Sequence, residues 1–160
     1  MEQSQRSARA DATLALQVRG ALVAITVAIL GVFAVAFWIR PYDDRDGRPL
    51  TIGTHRQIGL PPCTFYRWTG LPCPSCGMTT SFAHLVRGDV WNSVRANAVG
   101  TLLAGFCLVL IPWNLACAWR GRLYLVTSIE WILTRLVIGF LILLLGRWLI
   151  VVAMTYFTSH

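Results

Sequence analysis

Three long apolar stretches, separated by polar ones, set the plan of the chain. Residues 20–39 carry no charge and end in Phe37-Trp38-Ile39, followed by Arg40-Pro41. At about 1.5 Å of rise per helical residue, such a run matches a hydrocarbon core of about 30 Å. A competing reading is a secretory signal, because Arg19 precedes the run and Ala34-Val35-Ala36 resembles a small-x-small cleavage site. The length of the run and Trp38 at its end, where an interfacial anchor belongs, favour a retained helix. Residues 98–119 form the second uncharged run, with Pro112 near its far end as an expected kink and Arg120 closing it. The third, residues 136–157, is interrupted by Arg147.

Between the first two runs lies a long polar connection, residues 40–97. Its opening, Pro41 to Pro49, is rich in turn-formers and mixed charge and reads as solvated loop. Further on the period becomes helical: Met78, Phe82 and Leu85 fall at i, i+4 and i+7. Gly88 is placed as a helix stop, and Asp89 as the N-cap of a second short helix through Val90, Val94 and Ala98. Both short helices are amphipathic and suit the bilayer surface better than a crossing. The expected fold is therefore an all-α integral membrane protein. It has three transmembrane helices, two short amphipathic helices between the first and second, and a polar N-terminal tail over residues 1–19. Residues 20–160 form a single membrane domain.

Composition agrees. Of 160 residues, 56% are hydrophobic and only 13% charged, against about 25% charged in an ordinary soluble domain. The formal charge of +7 is carried by arginine alone. These arginines are scattered beside apolar runs and make no basic face, which argues against nucleic acid and for topology determinants. Their density is higher in residues 1–19 and 120–135 than in the long connection, where Asp43, Asp44, Asp46 and Asp89 offset them. That asymmetry puts the N-terminus in the cytoplasm and the cysteine loop outside.

The unusual chemistry sits in Gly70-Leu71-Pro72-Cys73-Pro74-Ser75-Cys76-Gly77-Met78-Thr79-Thr80, and Gly59-Leu60-Pro61-Pro62-Cys63 echoes it upstream. Cys63, Cys73 and Cys76 share one loop and so one compartment. Cys107 and Cys117, inside the second run, read as small packing residues. Three readings of the loop cysteines stand together. One is structural, a disulfide or tight turn, as an oxidising compartment allows. The second is thiol–disulfide exchange by Cys73 and Cys76, with a helix N-terminus to stabilise a thiolate. The third is a zinc or copper site using Cys63, Cys73, Cys76 and His84. Arg147 is either an intramembrane charge in need of an acceptor, costing about 2.5–3.5 kcal/mol at mid-bilayer, or an interfacial residue if the span begins nearer Trp131.

The line Cys63, Phe65, Tyr66, Arg67, Thr69 to Pro74 and Cys76 to Thr79, followed by Arg87-Gly88-Asp89, Arg95 and Asn97, resembles a bacterial family of small multi-pass membrane proteins described only as a domain of unknown function. The resemblance implies a membrane protein with a cysteine-centred loop between its first two spans, and it brings no reaction with it. Members of that family often have Arg where this chain has Thr80, and Pro where it has Ala98. The functional expectation is a non-catalytic component of the bacterial inner membrane whose cysteine loop is structural or partner-binding. Thiol–disulfide exchange and metal binding are the alternatives. The expected partners are the bilayer and a membrane protein or a second copy of the chain.

Overall fold

The computed structural model describes residues 2–120 and 129–158, with side chains described over 16–120 and 131–157. It is helical throughout, without a strand among the described residues. In order, the helices are α1 (Glu2–Trp38), α2 (Thr64–Thr69), α3 (Met78–Leu85), α4 (Val90–Arg120) and α5 (Ile129–Thr158), with a short 3-10 turn at Thr54–Ile58 before α2. Three segments are long and apolar enough to cross a membrane: Leu16–Trp38, Val90–Arg120 and Trp131–Phe157. The expected polar tail is the start of α1, which is helical from Glu2. Residues 121–128, between α4 and α5, lie outside the described residues, as does His160.

The chain turns out of α1 through a tight bend in which Tyr42 pairs with Pro49. It then reaches α3, which packs into the angle between α1 and α4. The core there is small. Ala36, Phe82 and Ala104 are buried together, with Phe33, Met78 and Leu103 against them. Small residues let the backbones approach, as lipid-embedded helices require when apolar burial gives little drive. At Gly100 an added Cβ would run into the Ser81 hydroxyl. Several buried hydroxyls inside this wedge are paired. Thr54 and Thr80 share a hydrogen bond at 2.9 Å, and the Ser93 hydroxyl donates to Ser81 O at 2.8 Å.

Two devices tie the short elements to the long ones. Arg87 closes the end of α1, donating from Nη1 to Ala36 O at 3.2 Å and from Nη2 to Phe37 O at 2.7 Å. A cation there satisfies orphan carbonyls and complements the helix dipole. Asp89 caps α4, accepting from Asn92 N–H at 3.2 Å, as its sequence position predicts.

The second expected short helix exists as the first turns of α4. The helix is broken once, at Asn97, which takes an extended conformation (φ −160°, ψ 104°). The Asn97 side chain then caps the continuation, its Oδ1 accepting from Gly100 N–H at 3.0 Å. The backbone stays helical through Pro112, where a kink was expected. The element the sequence did not reveal is α2: six residues, too short for a period to show.

α5 stands apart from this wedge. Its apolar residues go all round the axis, and its spanning window has none of its residues buried. An all-apolar helix without protein cover is a lipid-facing one. It begins ahead of the expected start at residue 136, with the span opening at Trp131. Arg147 Nη2 donates to Ala96 O at 3.1 Å, which sets the arginine level with the Asn97 break in α4.

Candidate thiolate site

Two stretches of backbone, one before α2 and one after it, deliver the loop cysteines to one place. Cys63 precedes α2, its carbonyl accepting from Arg67 N–H at 3.1 Å. Pro61 and Pro62 keep the approach extended. α2 then ends at Gly70, whose φ of 71° lets the chain reverse. The reversal brings Leu71-Pro72 back beside α2 and presents Cys73. A single turn follows, Cys76 N–H donating to Cys73 O at 3.0 Å and Met78 N–H to Ser75 O at 3.1 Å. The turn swings Cys76 toward Cys73 and opens α3 at Gly77.

Gly77 is required where it stands. Its φ is 84°, and a Cβ would lie 2.5 Å from Ala96 O and 2.8 Å from Thr51 O. Only a glycine lets the cysteine turn settle against the broken end of α4. Asn97, fully buried, fixes it from the other side by donating from Nδ2 to Cys76 O at 3.1 Å.

The result is a cluster of three sulfurs, Cys63, Cys73 and Cys76, all within 4.8 Å of one another and each partly exposed. Cys73 Sγ and Cys76 Sγ are 2.9 Å apart, and Cys73 N–H donates to Cys76 Sγ at 3.2 Å. The two thiols of the pair are unlike. Burial acts to raise Cys73, but hydrogen bonds from Cys76, Ser75 and Cys63 outweigh it and hold this thiol below its ordinary value. Burial and the bond it gives to Cys73 push Cys76 up to about 12. Of the pair, it is Cys73, the outer residue, whose thiol is shifted toward the thiolate expected at the mouth of α3.

His84 is not part of the cluster. Buried on α3, it places Nε2 3.0 Å from Leu50 O and Nδ1 3.5 Å from Asp89 Oδ2. Its ring meets Tyr42 edge-on, with centroids 5.1 Å apart. Tyr42 in turn donates to Asp89 Oδ2 at 2.8 Å. This second polar group braces the bend after α1 against α3 and α4. Hydrogen bonds from Asn92, opposed by burial and joined by Tyr42, keep the Asp89 carboxyl below the usual range. The same bond to Asp89, with burial, raises the Tyr42 phenol.

Sequence reasoning did not connect Arg147 and Trp148 to the cysteines. Trp148 Nε1–H donates to Pro72 O at 2.8 Å, and its ring stands against Phe65 with centroids 6.1 Å apart. Both partners of the hydrogen bonds from α5 are backbone carbonyls, which no residue type announces. The one available signal was Arg147 itself, a charge inside an apolar run.

These elements define a class: a helical protein with three membrane-length segments that holds a tri-thiol cluster beside the second and third of them. Residues 63–111 match the profile of a family described as a protein of unknown function (DUF2752). The match contains the three loop cysteines, α2, α3 and the broken start of α4, and stops short of α5. No curated protein and no solved structure matched the chain.

Proposed function

We propose that the chain is a non-catalytic membrane component whose cysteine loop holds one soft metal ion, zinc or copper(I), on Cys63, Cys73 and Cys76. The observation that carries this reading is the convergence of three sulfurs, from both sides of α2, within 4.8 Å. An ion with metal–sulfur bonds of about 2.3 Å holds its sulfurs about 3.8 Å apart, so small side-chain rotations complete the site. Thiolate donors select such ions over hard ones. The fourth position stays open to solvent or to a donor from a partner, a membrane protein or a second copy of this chain. Three apolar spans suit the inner membrane of a bacterium, and arginine density favours the cysteine loop outside.

Titration of the reduced, detergent-solubilised full chain with cadmium, followed by the thiolate-to-metal charge-transfer band, tests it. One equivalent should saturate the band, and Cys63→Ser should weaken binding strongly. A titration without the band removes the reading.

A second reading rests on the unlike pair. With Cys73 lowered and Cys76 raised to about 12, the pair suits thiol–disulfide exchange. The Cys73 thiolate attacks a partner disulfide and releases one partner sulfur as thiolate. Cys76, once deprotonated, attacks the mixed disulfide and releases the second. The partner leaves as a dithiol and the pair as a disulfide. Cys76→Ser would then accumulate a mixed disulfide through Cys73, and its absence in cells would count against exchange.

A further inference from the structure

Few described contacts join α5 to the rest of the protein, and those it makes are aimed. Arg147 and Trp148, adjacent in sequence, reach all three cysteine segments. The Trp148 ring meets Phe65, two residues after Cys63. Its N–H binds the carbonyl of Pro72, the residue before Cys73. The Arg147 guanidinium binds Ala96 O, the same carbonyl that closes over Gly77, the residue after Cys76. We propose that Arg147-Trp148 is the positioning element of the thiol cluster, holding Cys63, Cys73 and Cys76 in register from the third span.

The physical case has two parts. Among the described hydrogen bonds, the cysteine-bearing stretch 59–77 is held to α4 through Asn97, which restrains only the Cys76 turn. Without α5, the arm bearing Cys63 and the approach to Cys73 have no described hydrogen bond to a span. Charge is the second part. The guanidinium is bonded to the carbonyl that closes over Gly77, next to Cys76, so its charge would offset the negative charge that three thiolates collect around one ion. Arginine suits this task because one planar group can bind a carbonyl and still face an anion.

The inference rests on the three thiols working as one site, and its test separates it from the metal reading. Trp148→Phe keeps a ring against Phe65 and removes the N–H. Arg147→Gln removes the charge, and Arg147→Lys restores it. Two quantities are read on the full chain in detergent. The first is cadmium affinity by the charge-transfer band. The second is bridging of thiol pairs by dibromobimane, which fluoresces only when both arms react and needs no metal.

The expected result is a fall of about 10–100-fold in affinity for Arg147→Gln, the usual cost of removing a group that orients ligands. Trp148→Phe should lose about three- to tenfold, the range of one neutral hydrogen bond. Bimane bridging should fall in both while the thermal midpoint holds, and Arg147→Lys should recover part of the affinity. Unchanged bridging and affinity in both variants overturn the inference. If Arg147→Gln fails to fold, Trp148→Phe alone decides by the same readouts. If the wild-type chain bridges well, the variants do not, and cadmium binds neither, positioning stands and the metal reading falls.

Discussion

Asn97 Nδ2 donates to Cys76 O at 3.1 Å, while Oδ1 of the same side chain accepts from Gly100 N–H at 3.0 Å. One buried amide thus ends the amphipathic start of α4, caps its continuation and fastens the cysteine turn. Asn97→Ala should leave both backbone groups unpaired, at about 1–3 kcal/mol each, and lower the thermal midpoint in detergent. Asn97→Asp keeps the acceptor for Gly100 but loses the donor to Cys76. It should keep more helix than the alanine variant while disordering the thiols to a similar degree, read by bimane bridging. Equal stability of all three proteins would contradict this role.

Gly77→Ala should be among the most damaging single changes in the loop. The left-handed backbone costs a Cβ about 1–2 kcal/mol, and overlap with Ala96 O and Thr51 O adds about 1–3 kcal/mol. Gly47→Ala, also at positive φ (67°) but with open space around it, should cost only the backbone part. A thermal-unfolding comparison of the two separates packing from conformation.

The pair should alkylate in a fixed order. Cys73, held below its ordinary value, has more thiolate at neutral pH than Cys76, which stays protonated until about pH 12. Mass mapping after brief iodoacetamide treatment should find Cys73 modified first. Because a metal ion must displace the Cys76 proton, affinity should rise with pH throughout the neutral range. A pH-independent affinity would mean that Cys76 is not a ligand.

The Asp89 brace should give way in acid. Its carboxyl is depressed in the folded protein, so its contribution is complete above the unfolded carboxylate value of about 3.9 and disappears as pH falls through the folded value. Tyr42→Phe removes one of the bonds that depress it. The loss of stability should then start near the same unfolded value in both proteins but be smaller in the variant and finish at higher pH, measured as thermal midpoint against pH. Coincident profiles would show that the Tyr42–Asp89 bond does not matter.

What could be read from sequence divides by the kind of partner involved. The spans were legible because lipid demands a long uncharged run, and α3 because Met78, Phe82 and Leu85 repeat at its period. Asp89 was legible as a cap because side-chain-to-backbone capping is local. The three cysteines suggested one another through repeated Gly-Leu-Pro phrases, but their closure depends on α2, whose six residues carry no readable period. His84, grouped by type with the cysteines, faces Leu50 O and Asp89 instead, a choice set by which side of α3 it occupies. Arg147 stood out as a charge. Its acceptor, the carbonyl of Ala96, exists only because α4 breaks at Asn97.

The most direct test of the central claim is a thiol and metal count on the full chain, extracted without reductant and alkylated under native conditions before intact-mass measurement. The account expects about one zinc or copper per chain and three thiols protected until a chelator is added, with Cys63, Cys73 and Cys76 identified by mapping. Protection relieved by reductant instead would mean a disulfide, and free alkylation of all three without metal would contradict a metal-holding site.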